Sequence, residues 1–183
     1  PQEYTPVLDT LYRNNGDGTF TDVTEESGIM KRAGRSMGMT GADYDNDGDL
    51  DIVVNNVDGE AFLFKNNSTN DFIRLSFEGP PSNPLGIGAK VTILQGDQIQ
   101  YYENSPSRGF QSAMTGTMVV GVGTNSIDEV MVEWPGGRSQ KLTGIKKNST
   151  IKLSYAESGM ISIKEKELRT YLKDEEISGL GIK

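Results

Sequence analysis

Between Asp43 and Asp51 the chain reads Asp43-Tyr44-Asp45-Asn46-Asp47-Gly48-Asp49-Leu50-Asp51, with five carboxylates on alternate residues. Left bare, these groups repel one another. A hard divalent cation that prefers oxygen removes the penalty, and calcium accepts the about six to eight irregularly placed oxygens, at about 2.3–2.6 Å, that a single loop supplies. Side-chain ligation is expected from Asp43, Asp45, Asp47 and Asp51, and the main-chain carbonyl of Asp49 is expected as a further ligand. Gly48 lets the loop turn sharply between its two halves. An ion whose positions are all filled by protein oxygens braces a loop and catalyses nothing, so the expected cofactor, Ca2+, has a structural role.

Three other readings compete for this stretch. An EF-hand loop opens with the same alternation but needs a bidentate Glu at its twelfth position, which here is Val54. Leu50 to Val54 also reads as a buried strand, where an EF-hand requires helices. Magnesium demands stricter octahedral geometry and keeps several waters. A solvated acidic turn without an ion is the plainest alternative, and the density and register of the carboxylates argue against it. The stretch Asn14-Asn15-Gly16-Asp17-Gly18-Thr19-Phe20 invites the same reading, but only Asp17 and Asp22 bring charge, and Asn-Gly and Asp-Gly steps are ordinary hairpin turns. A turn without metal is the expectation there, with a second ion left open.

The rest of the composition narrows the chemistry. The chain has no His and no Cys, which removes the usual general base near neutral pH, thiol nucleophiles, disulfides and the common transition-metal ligands. Any catalysis falls to carboxylates, Lys, Tyr or a metal, and the expectation is that the chain is not an enzyme. Twenty-six acidic against 18 basic side chains give a net charge of -8, and no basic run offsets it, so nucleic acid is not an expected partner. No apolar stretch approaches the roughly 20 residues that cross a bilayer as a helix. The sequence starts at Pro1 without a signal-like segment, so targeting information is expected to lie outside this stretch.

These residues must be positioned by short strands. Gly, Asn, Asp, Ser and Pro clusters separate runs of β-branched and aromatic residues, the texture of an all-β protein. Strands are expected at Leu50 to Asn55, Ala61 to Phe64, Phe72 to Phe77, Lys90 to Leu94, Gln98 to Glu103, Met118 to Val122, Val130 to Trp134 and Thr150 to Ser154. Gln95-Gly96-Asp97 reads as a hairpin turn. Leu11-Tyr12-Arg13-Asn14-Asn15 recurs at an offset of 52 as Leu63-Phe64-Lys65-Asn66-Asn67. A period of about 40–50 residues is that of four-stranded propeller blades, which bury their faces only against neighbours. The blade material is therefore expected to belong to a longer array, with open strand edges prone to weak self-association. From about Ser158 the texture becomes charged, and Lys164 to Glu176 is expected to form a short amphipathic helix or a linker to further sequence.

Two stretches resemble known families. Leu11 to Thr24, reading LYRNNGDGTFTDVT, and Gly41 to Val54, reading GADYDNDGDLDIVV, resemble the FG-GAP or VCBS repeat of integrin-type β-propellers. The resemblance implies a calcium loop between two strands of a blade, with Asp43, Asp45, Asp47, Asp49 and Asp51 at the loop positions. Gly86-Ile87-Gly88-Ala89-Lys90-Val91, then Gly121-Val122-Gly123, then Val130 to Arg138, reading VMVEWPGGR, resemble the ASPIC/UnbV domain that follows such repeats in bacterial surface proteins. Val120 and Val122 stand where that family often carries Phe-Gly-Leu-Gly.

The expected architecture is thus all-β: a partial propeller blade over residues 1–70 and a small antiparallel sandwich or barrel-like domain over 71–156, followed by a charged helix or linker over 157–183. The leading functional expectation is a non-catalytic, calcium-braced extracellular or cell-surface module for adhesion, scaffolding or protein interaction, since calcium loops of modest affinity fill outside the cell. A carbohydrate-binding module is the alternative, with Tyr101, Tyr102 and Phe110 as a possible aromatic patch. Less favoured is glycoside hydrolysis by a carboxylate pair drawn from Glu103, Glu129 and Glu133. Trp134 is expected in the core rather than on a sugar platform. Asn-x-Ser/Thr triplets occur at Asn66, Asn67 and Asn148.

Overall fold

The structure, a computed structural model, describes residues 5–160 apart from Arg108, Gly109, Gln111 and Thr115. Of the helix or linker expected over 157–183, residues 161–183 lie outside the described residues, and Gly159–Met160 form a strand. No helix among the described residues is long and apolar enough to cross a membrane, which says nothing of crossing by strands.

The chain is almost entirely strand and turn. Its first part contains β1 (Val7–Leu8), β2 (Tyr12–Asn14), β3 (Phe20–Asp22), two short helical turns, Thr24–Ser27 and the 3-10 turn Ile29–Lys31, then β4 (Ala33–Gly34), β5 (Ser36–Ala42), β6 (Asp51–Asn56) and β7 (Phe62–Phe64). β2 and β3 form a hairpin, β1 pairs with β4, and β5, β6 and β7 form an antiparallel three-stranded meander. Both copies of the repeated motif start at or beside a short strand, β2 and β7. The buried apolar side chains here are few: Val23, Ile29, Val54 and Phe62. Much apolar surface remains outside, including Tyr12, Phe20, Met37, Met39 and Leu63.

β5 is absent from the sequence reading, and its composition explains why. Ser-Met-Gly-Met-Thr-Gly-Ala offers neither β-branched alternation nor a run of aromatics, and its two glycines weaken strand propensity. Its ladder with β6 and a bulge between Ser36 and Gly38 make it a strand.

The second part supplies β8 (Phe72–Glu78), β9 (Lys90–Gln95), β10 (Gln98–Glu103), β11 (Thr117–Gly121), β12 (Glu129–Trp134), β13 (Arg138–Leu142), β14 (Ser149–Ser154) and β15 (Gly159–Met160). They form a five-stranded sheet, ordered β10-β9-β12-β13-β15, and a three-stranded sheet, ordered β11-β8-β14. None of the described sheets closes into a barrel. One pair departs from the antiparallel expectation: β8 and β14 run parallel. The 70 residues from Gly79 to Asn148 separate them, and no local pattern announces such a pairing.

The sandwich core follows the period of two. Ile73 and Leu75 of β8, Val91 and Ile93 of β9, Val130 and Val132 of β12, and Leu153 of β14 are all fully buried. Trp134, at the end of β12, lies edge-to-face between Phe77 and Tyr155, with centroids at 6.2 and 5.8 Å, so it belongs to the core. Gly86 has φ +62, and a Cβ there would come within 2.8 Å of the indole ring. The same alternation turns Arg74 and Ser76 of β8 away from the core, toward the aspartate loop.

Candidate metal centre

The loop lies between β5 and β6, so two paired strands fix its ends. Ala42 and Asp51 are partners in that ladder, and only eight residues close the turn. Two positions take left-handed backbone, Asn46 at φ 63 and Gly48 at φ 100. Gly48 has a second constraint: a Cβ there would sit 1.9 Å from the ring of Phe72, the first residue of β8. The loop turns back beneath that ring only because residue 48 has no side chain.

One carboxylate oxygen from each of Asp43, Asp45 and Asp51 can be chosen so that all three lie within 4.8 Å of one another. Asp51 is fully buried, and its two oxygens accept from the Tyr44 amide at 3.1 Å and the Asn66 amide at 2.8 Å. Asp43 is nearly buried. Its Oδ1 accepts from the Gly48 amide at 3.3 Å, and its Oδ2 accepts from Arg74 Nε at 3.0 Å. Asp45 is paired with the ammonium of Lys65, whose hydrogen bond holds its carboxyl below the usual range. Asp47 lies at the rim, 3.5 Å from Lys65 Nζ, and accepts from the Asp49 amide at 3.3 Å. Asp49 turns its side chain the other way, and Oδ2 accepts from the Ser68 amide at 2.8 Å.

The structure therefore brings Asp43, Asp45 and Asp51 together and leaves Asp47 and Asp49 outside that carboxylate group. Asp49 is nonetheless informative. Its Oδ1 is buried with no hydrogen-bond partner, and burial pushes its carboxyl up, with the negative charges of Asp47 and Asp51 adding to the effect against the Ser68 amide. Buried acceptors without donors are rare, and a negative one beside other carboxylates calls for positive charge. The residues fit a hard cation: the donors are all oxygens, and three carboxylates converge.

Two cations on this site escaped the sequence reading. Lys65 follows β7, in the second copy of the repeated motif, and Arg74 comes from β8. Sequence separations of 20 and 31 residues from their partners keep these contacts out of any local pattern. The repeat was the available signal for Lys65, since the motif places a base, Arg13 or Lys65, at the same point in both copies. Beside the loop, a cleft of about 480 Å³ runs along the outward face of the β11-β8-β14 sheet, with Tyr44, Asn46, Arg74, Ser76, Thr117 and Thr150 among its walls.

The Asn14–Asp22 stretch is a hydrogen-bonded turn. Asp17 Oδ1 accepts from both the amide and the hydroxyl of Thr19, at 2.9 and 2.6 Å, and Asn14 caps the amide of Gly16. The Thr19 hydroxyl lowers the Asp17 carboxyl below its ordinary value. The three glutamates considered for hydrolysis stand on the five-stranded sheet. Glu129 is ion-paired with Lys141, while Glu103 and Glu133 flank Lys90 in the ladder. Tyr101 is exposed while Tyr102 packs on the core, as alternation requires.

Two family models match the chain. Residues 7–54 match the model of the FG-GAP-like repeat, and residues 79–159 match the model described as ASPIC and UnbV. The chain is 38% identical over 64 residues to Cartilage acidic protein 1 of Xenopus tropicalis, which covers 35% of the chain and 10% of that protein. It is 36% identical over 112 residues to Cartilage acidic protein 1 of Homo sapiens, covering 55% of the chain and 17% of that protein. The match thus spans less than a fifth of those relatives' length. The chain carries an FG-GAP-like repeat, whose aspartate loop ends at β6, followed by an ASPIC and UnbV domain built as the β-sandwich.

Proposed function

We propose that the chain is a non-catalytic, calcium-braced interaction module that works outside the cell. The observation that carries this reading is the convergence of Asp43, Asp45 and Asp51, one of them fully buried. Asp43, Asp45 and Asp51 would hold the ion with their side chains, and Asp47 and the Asp49 carbonyl complete the set. When bound, calcium supplies charge neutralisation and a fixed loop geometry. The protein's own residues then keep β5 and β6 in register and hold the face they present.

The similarity to Cartilage acidic protein 1 supports an extracellular setting, and free calcium there suits a loop of modest affinity. The partner is proposed to be a protein or glycan surface, with no nucleic acid and no membrane insertion by this stretch. Thermal melting in millimolar calcium, in magnesium and in chelator tests the reading. A ligand that binds only the folded state at a hundred times its dissociation constant adds about 2.7 kcal/mol, so melting should rise clearly with calcium and much less with magnesium. Coincident melting curves in calcium and in chelator would overturn it.

A further inference from the structure

The aspartate loop contacts more than its own blade. The connector from residue 65 to residue 71, which leads from β7 into the sandwich, is tied to the loop at Lys65, Asn66 and Ser68. Lys65 lies on Asp45 and Asp47, the Asn66 amide donates to Asp51, and the Ser68 amide donates to Asp49. The first turn of β8 then closes over the loop. The Phe72 ring occupies the space above Gly48, and Arg74 stacks on that ring at 4.6 Å while donating to Asp43 Oδ2. A separate contact lies at Gly38 of β5, where a Cβ would come within 2.6 Å of the Phe110 carbonyl oxygen.

We infer that this loop is the latch that seats the sandwich on the blade, so that calcium occupancy sets how firmly the second domain is held. The inference rests on the calcium reading above and extends it to the loop's partners outside the blade. Five carboxylates face two fixed cations, Lys65 and Arg74, so the ion-free loop keeps a surplus of negative charge that drives its carboxylates apart. The oxygens that move are the acceptors of the connector amides and of Arg74, so the connector loosens with them. A divalent ion leaves that cluster still slightly negative. Arg74 therefore keeps an attractive target when calcium is bound.

The sign of the effect depends on which ties feel the ion's charge. Arg74 among the β8 contacts and Lys65 on the connector are repelled by it. The Ser68 and Asn66 amides and the Phe72 ring are neutral and gain from a loop whose oxygens no longer move, as partners of metal-bound carboxylates do. Ordering wins, and calcium tightens the latch. Coupling is reciprocal, so a seated sandwich also strengthens ion binding, against the weakening that the Arg74 charge imposes. Arg74 is a positioning residue, acting on the ion through Asp43.

The test uses the full chain. It has no native cysteine, so Glu60→Cys on the blade and Asp97→Cys on the sandwich accept two spin labels without ambiguity. The distance distribution between them is measured by pulsed electron resonance as free calcium rises, with calorimetric calcium titration of the same protein alongside. The expected result is a broad distribution in chelator that narrows with calcium at the calorimetric midpoint. In Arg74→Gln calcium still binds, a few-fold tighter, but the distribution stays broader than wild type both in chelator and in saturating calcium, and Arg74→Lys restores part of the seating. Calorimetric binding with an unchanged distribution would overturn the latch and leave the calcium reading standing. Distributions of equal width in wild type and Arg74→Gln at saturating calcium would remove Arg74 from it and overturn the latch as drawn. Absence of calcium binding would overturn both.

Discussion

Asp51 and Gly48 show how tightly single residues define the loop. A buried carboxylate that accepts two backbone amides cannot be removed without leaving donors unsatisfied, each costing about 1–3 kcal/mol. Gly48 is constrained by both conformation and space. Gly48→Ala must hold an L-residue at φ 100 and displace the Phe72 ring, so it is expected to destabilise the fold by about 1–3 kcal/mol and to abolish the calcium-dependent rise in melting temperature. A calcium-dependent rise equal to wild type in Gly48→Ala would contradict that account. The acidic loop and its glycine were legible because they lie in consecutive residues. Their individual roles were not. That Asp49 turns to the Ser68 amide and Asp43 to Arg74 depends on where the chain goes after β7.

At the scale of elements, alternation decides which side chains matter. Ile93 is fully buried between the two sheets, whereas Ile99, one strand away on β10, is 69% exposed. Ile93→Ala is expected to cost about 2–5 kcal/mol, and Ile99→Ala to stay within about 0.5 kcal/mol, as read by chemical denaturation. Comparable losses would mean the register of β9 and β10 is wrong. Those two strands, with β8 and β12, were legible because β-branched and aromatic residues recur in them at a period of two. β5 and β13 were not, since Ser-Met-Gly-Met-Thr-Gly-Ala and Arg-Ser-Gln-Lys-Leu carry no such signal. Ladders with β6 and β12 make them strands. The β8–β14 pairing joins the two ends of the sandwich and was illegible for the same reason.

Across the whole molecule, charge and open edges set the response to conditions. Asp71, at the entrance to β8, is hydrogen-bonded by Asn148 and Lys147, which lower its carboxyl below the ordinary 3.8. A carboxyl lowered by folding contributes stability above its unfolded value, and that contribution disappears as pH falls through the lower folded value. Stability should therefore fall more steeply below pH 3.8 in wild type than in Asp71→Asn, as followed by acid unfolding in chelator. Matching acid limbs would count against the pairing. Among the described residues the meander β5-β6-β7 ends on unpaired edges, and it exposes Met37, Met39 and Leu63. Weak self-association through this face is expected in sedimentation equilibrium and should diminish in Met39→Lys. A strictly monomeric wild type at high concentration would refute it. The all-β class and the succession of two β modules were legible because turns and strands are local. How the modules touch was not.

The claim on which the others depend is that the loop from Asp43 to Asp51 binds calcium through converging carboxylates. Calorimetric titration of calcium into the chelator-stripped chain, beside Asp51→Asn, measures it directly. The account predicts saturable binding to one site in wild type, with magnesium far weaker, and a loss of at least about tenfold in affinity in Asp51→Asn. Heats that do not saturate in wild type, or equal affinity in the two proteins, would contradict it.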